Sequence, residues 1–165
     1  MGFSLPYIFV LALLLLLSAL QLILPLTART HKIIVFFVNL IFLVFFGLRG
    51  FVQTDFIVYS QVFEEIPLLG SDWWVYMLET GIEPLFLFYT SLLKMISENY
   101  HVYVFLSSAI DLCLLYIVFR RYLSAQYYAF FIAIFIVYSG VILEFNLMRN
   151  IKSLLFFLIS ILLLS

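Results

Sequence analysis

Cysteine, histidine and charge are all scarce in this chain. A single cysteine, Cys113, excludes an internal disulfide and any cysteine metal cluster. Lying inside an apolar run, it reads as a small buried hydrophobe. The two histidines, His31 and His101, have no partners at metal-ligand spacing. Glycine-rich phosphate loops and nucleophile elbows are missing as well. Lys and Arg number eight against nine Asp and Glu, too balanced and too few for a nucleic-acid surface. What fills the space is apolar: 67% of the residues are hydrophobic and 20% aromatic, only 10% are charged, and the mean hydropathy is +1.24. Such a composition belongs in a bilayer, where a core about 30 Å thick takes roughly 20 apolar residues per helix. The expectation is an all-α fold, a polytopic integral membrane helix bundle forming a single membrane domain over residues 1–165.

Five spans are predicted, at about 5–26, 33–48, 100–119, 127–143 and 150–165. The first carries no leading Lys or Arg and exceeds a signal-peptide core, so it reads as a retained span. Arg29, His31 and Lys32 follow it, and basic residues in short loops prefer the cytoplasm, which puts the N-terminus outside. The segment from Arg49 to Glu98 holds two basic residues against seven acids, and is expected to be an outer loop, residues 49–99. Within it, the apolar stretch after Glu83 is too short to span and suggests an interfacial helix at about 83–96. A crossing there would also turn Arg120 and Arg121 outward, against the positive-inside tendency. A second interfacial helix, about 57–66, groups Tyr59, Val62, Phe63 and Ile66 on one face, as for an amphipathic element lying on the outer leaflet. The last run is still apolar at Ser165, so the chain reads as the front part of a longer protein.

Under this topology the polar residues converge on the outer face. Arg49 ends a span and Asp55 follows six residues later; the pair is either a helix anchor and a loop acid, or the start of a site. Glu83 precedes Pro84 at the start of the interfacial helix, where an acid is favourable at a positive helix end, and it opens a polar stripe with Thr90 and Lys94. Asn146, Arg149, Asn150 and Ser153 share one face of the entering helix, an expensive arrangement in a bilayer unless it borders a cavity, partner or ligand. Arginine suits forked binding of a diphosphate. Lys152 reads as a flanking anchor. Asp111, in mid-span beside Ser107 and Ser108, is expected to be protonated, hydrogen-bonded between helices or functional in transport. Trp73, Trp74 and Tyr76 suit interfacial anchoring or stacking on sugar rings.

Three of these motifs carry a family resemblance. Arg49, Gly50, Thr54, Asp55 and Tyr59, then Glu83 with Pro84, then Asn146 with Arg149, resemble in order and in hydropathy profile the EpsG family of bacterial exopolysaccharide polymerases, relatives of the Wzy polymerases. Gln53, Phe56 and Asn150 depart from residues common in that family. The resemblance covers about residues 45–155. It implies a multi-pass protein of the bacterial cytoplasmic (inner) membrane, GT-C-like in architecture, that joins oligosaccharide repeat units carried on undecaprenyl diphosphate by glycosyl transfer at the outer face. On that reading Asp55 and Glu83 are the catalytic carboxylates, and Arg49, Arg149, Asn146, Asn150 and Tyr59 bind substrate. No cofactor or metal is required. Its partners are the lipid-linked oligosaccharide, the bilayer and other polysaccharide-assembly membrane proteins, with no nucleic acid. Two other classes remain open: a transporter or flippase of lipid-linked sugars, and an inactive fragment or non-catalytic membrane subunit.

Overall fold

The computed structural model describes residues 5–48, 54–70, 72–140 and 148–164, and among them there are helices and connections but no strand. Among the described residues, three helices are long and apolar enough to cross a bilayer: α1 (Leu5–Ile23), α2 (Ala28–Gly47) and α6 (Tyr100–Tyr122). Between α2 and α6 lie three shorter ones, α3 (Thr54–Glu65), α4 (Asp72–Thr80) and α5 (Pro84–Lys94). A 3-10 turn at Ala125–Tyr127 leads into α7 (Tyr128–Phe135), which runs on as a π turn over Ile136–Gly140, and α8 (Met148–Leu164) closes the described chain.

Local chemistry sets these ends. Helix α1 stops before Pro25, which cannot continue the hydrogen-bond ladder. Helix α2 begins at Ala28, five residues ahead of the apolar run, because the Thr27 hydroxyl accepts the Thr30 N–H and Thr, His and Lys are tolerated in a first turn. The membrane boundary and the helix boundary are therefore different things here. Helix α6 starts at an Asn99 cap, its side-chain oxygen accepting the His101 N–H, and ends beside Arg120 and Arg121, cations that suit a helix C-terminus.

The bundle packs α1 on α7, α2 on α6 and α6 on α8. Its core is Leu14, Val38, Phe42, Phe46, Ile132, Ile151 and Leu155, all essentially inaccessible. Polar groups inside find partners across helices. Gln21 of α1 accepts the Ala129 N–H, an otherwise unsatisfied donor in the first turn of α7, and the Tyr128 hydroxyl donates to Asn39 Oδ1 at 2.6 Å. Gly47 lets α2 close on α6, since a Cβ there would stand 3.1 Å from the Phe105 ring. Many large apolar side chains point outward, among them Phe9, Phe36, Ile117 and Phe157, as expected where the surrounding medium is lipid. Cys113 belongs to this outward set. It is exposed on α6, so an apolar position in the sequence marks a lipid-facing surface rather than the buried one expected.

Helices α3, α4 and α5 form a tight cluster against the start of α6. Phe63 packs with Leu93, Tyr100 and Tyr103, while Ile66, Trp73 and Leu87 form a second core. The apolar face of α3 is thus turned largely to protein, not to the outer leaflet. Trp73 Nε1 donates to Ser91 Oγ at 3.1 Å, and that hydroxyl donates to the Pro67 carbonyl at 2.9 Å. Trp73 is buried, and sugar stacking is closed to it; Trp74 is exposed. Helix α4 itself lies between the two expected interfacial helices, its nine residues being too few for a clear period.

Candidate functional site

Glu83 stands at the N-cap of α5, directly before Pro84 at the first helical position. Its side chain makes no capping hydrogen bond to that helix end. It lines a cavity of about 260 Å³ between α5 and α8. The α5 wall is apolar, with Leu85, Phe86, Phe88 and Leu92, and α8 adds Phe156. Polar residues in the lining are Glu83, Asn150, Lys152 and Ser153, with Tyr89 beside them. Leu85, Phe88 and Leu92 are themselves exposed, so the greasy wall continues onto the outer surface of the protein. The space is amphiphilic: a polar end against an apolar flank.

Behind it lies a buried ion pair. Lys152 Nζ donates to Asp111 Oδ2 at 2.8 Å, with the two side chains 7% and 1% exposed. The lysine also sits 5.2 Å from the centre of the Tyr89 ring. Lys152 is therefore not the flanking anchor its position at a span entrance suggests. It reaches across to α6 and ties the two helices. Asp111 lies eleven residues into α6, about 16 Å along its axis, at a depth where an unpaired charge would be costly. Ser107 and Ser108, one turn earlier on the same buried face, are fully buried, and their hydroxyls find no partner among the described residues. A buried hydroxyl left so costs about 1–3 kcal/mol, which makes this a polar patch retained inside an apolar bundle.

The stripe that begins at Glu83 divides in two. Thr90 is buried with its hydroxyl 3.3 Å from that of Tyr103. Lys94 points to the end of α3, where its ammonium donates to the carbonyls of Phe63, Glu64 and Ile66 at 2.8, 2.8 and 2.6 Å. These are carbonyls a helix C-terminus leaves open. Burial lowers the Lys94 pKa from its ordinary value, opposed by the nearby Glu98 and Glu64 carboxylates. Thr90 and Lys94 thus build the cluster, and Glu83 alone of the three faces the cavity.

Of the residues singled out by sequence, Glu83 and Asn150 share this cavity, and Ser153 joins them. Tyr59 packs edge-on against Phe86, a cavity-lining ring, with centroids 6.3 Å apart. The backbone at Asp55 lies in the first turn of α3 and that at Arg149 in the first turn of α8, next to Asn150; their side chains fall outside the described residues, as do Arg49 and Asn146 entirely. Sequence reading missed the Lys152 to Asp111 pair, although two opposite charges in neighbouring apolar runs were its signal. No group of three or more His, Cys, Asp or Glu able to hold a metal occurs among the described residues. A second, more open cleft of about 620 Å³ lies at the C-terminal end of α6, lined by Lys32, Asn39, Arg120 and Tyr128.

Helices of membrane length, lipid-facing apolar side chains and an amphiphilic cavity within the bundle define an integral, all-helical membrane protein. The family comparison then fixes its kin. The EpsG family model matches residues 32–165, and the chain belongs to the EpsG family. This membership associates it with exopolysaccharide biosynthesis at the bacterial inner membrane. No curated protein and no solved structure matches it.

Proposed function

We propose that the protein polymerises lipid-linked oligosaccharide repeat units, transferring a growing glycan from its undecaprenyl diphosphate carrier to the next unit at the outer face of the membrane. The observation that carries this reading is the cavity between α5 and α8. Its apolar flank suits a polyprenyl chain, and its polar end suits a diphosphate and sugar. Family membership supplies the substrate class.

In this reaction a hydroxyl oxygen of the acceptor sugar bonds to the anomeric carbon of the donor. The bond from that carbon to the diphosphate oxygen breaks, and the lipid diphosphate leaves with the electron pair. Glu83 at the cavity rim, or Asp55 on α3, takes the hydroxyl proton as general base. The guanidinium groups of Arg149 and Arg49 stabilise the charge building on the departing diphosphate, with Asn146 and Asn150 orienting it and Tyr59 supporting the wall. The N-terminus lies outside the cell in this scheme, and residues 49–99 with the start of α8 share that side.

Arg149→Ala, and at least one of Glu83→Gln and Asp55→Asn, in the intact protein is expected to abolish polymer formation in a strain depending on it, with membrane insertion unchanged. Normal polymer from Arg149→Ala together with both carboxylate variants would refute the assignment.

A further inference from the structure

We infer that Lys152 is a substrate-binding residue, the cation in the cavity wall that receives the diphosphate of the lipid-linked substrate, and that Asp111 is the positioning residue that holds it there. This rests on the polymerase reading for the class of ligand, but its evidence is separate from the family motifs.

Position is the first observation. Lys152 lines the cavity whereas Asp111 does not, so of the two paired residues it is the lysine that borders the space between α5 and α8. The second observation is restraint. A lysine on a flexible stem binds weakly because ordering it is costly, and here the 2.8 Å contact to Asp111 and the Tyr89 ring at 5.2 Å fix it before any ligand arrives. Helix α8 adds to this. Its 17 residues begin at Met148, so its positive end lies beside the same space, where Asn150 and Ser153 offer polar side chains. Finally, the surroundings are suited to an amphiphile. Phe88, Leu92 and Phe156 line the same cavity as the lysine, giving a chain-bearing diphosphate somewhere to lay its first isoprene units. A pair whose only task were to join α6 and α8 would have no need to present its cation at a cavity wall.

A purely structural pair and a ligand-binding pair respond differently when the charges are exchanged. The full chain is reconstituted in phosphatidylcholine nanodiscs, and retention of undecaprenyl diphosphate is measured for wild type, Lys152→Arg, Lys152→Gln and the double exchange Asp111→Lys with Lys152→Asp. The exchange keeps an ion pair between α6 and α8 but puts the carboxylate at the cavity. Wild type and Lys152→Arg are expected to retain the lipid. Lys152→Gln and the exchanged protein are expected to bind it about tenfold or more weakly, the scale of one lost charge-assisted hydrogen bond, while the exchanged protein keeps a thermal midpoint near that of wild type. Wild-type affinity in the exchanged protein, or no retention by wild type itself, overturns the inference. Polymer formation is scored separately: lipid bound through Lys152 with no polymer from wild type would sink the polymerase reading and leave this one standing.

Discussion

Lys94 shows how much one side chain can organise. Its ammonium gathers three carbonyls at the end of α3 and lies 5.2 Å from the centre of the Phe63 ring, so it both closes that helix and joins it to α5. Lys94→Met is expected to destabilise this end of the cluster by about 1.5–3 kcal/mol, the usual worth of hydrogen bonds to a charged group. Faster hydrogen exchange in residues 57–66, with α1 and α2 unaffected, is the measurement that checks it. Asp111 sets a larger stake. Asp111→Ala leaves Lys152 buried beside a lost partner, and breaking such a pair from one side costs about 3–5 kcal/mol. A fall in the thermal midpoint that restoring the carboxylate as Asp111→Glu partly reverses would bear this out; an unchanged midpoint would show the pair adds nothing to stability. Neither pairing is evident from local sequence, although opposite charges in two apolar runs hint at the second. Lys94 and the carbonyls it holds are 28 to 31 residues apart, and Lys152 and Asp111 are 41 apart. Glu83 and Asn150 were legible because a polar residue on an apolar helix face needs a reason to be there, and a cavity is one.

At the level of helices, the strongly apolar runs were readable, and residues 49–99 only in part: α3 and α5 lie where short helices were expected, whereas α4 was not foreseen. Helices α1, α2 and α6 follow from hydropathy alone, since nothing else accommodates 19 to 23 such residues. Helix α4 escaped notice because its Trp and Tyr content suits a membrane interface as well as it suits a small protein core. The face of α3 was correctly seen as apolar, yet what covers it depended on α5 and α6, which a single segment cannot reveal. Gly81 joins α4 to α5 with a φ of +65°, a conformation natural to glycine, and its N–H closes the α4 terminus on the Met77 carbonyl at 3.1 Å. Gly81→Val is therefore expected to cost about 1–2 kcal/mol and to misplace Glu83 two residues on. Polymer yield should fall while α6 stays inserted. Gly81→Asn, tolerated in this conformation, should retain most of it.

For the molecule as a whole, charge is divided between the ends of the bundle. Arg29, His31, Lys32, Arg120 and Arg121 gather where α2 starts and α6 ends, and the acids of residues 64–98 lie on or beside the helices packed at the start of α6. That division is the basis of the sidedness in the proposed mechanism. With Cys113 replaced by serine, an impermeant maleimide is expected to label Glu79→Cys in intact cells and Arg121→Cys only after permeabilisation; the reverse pattern would place the cavity on the wrong side for its substrate. Both positions are exposed, so access to the reagent depends on the membrane alone.

The apolar flank of the cavity includes Leu85, Phe88 and Leu92, which are also exposed on the outer surface of the protein. A guest with a long tail would enter sideways, in two dimensions, having never left the bilayer. Its saturation should then obey mole percent of total lipid and ignore litres of buffer. Doubling the inert phospholipid at constant volume ought to halve occupancy below saturation, whereas doubling the volume at constant lipid composition ought to leave it untouched.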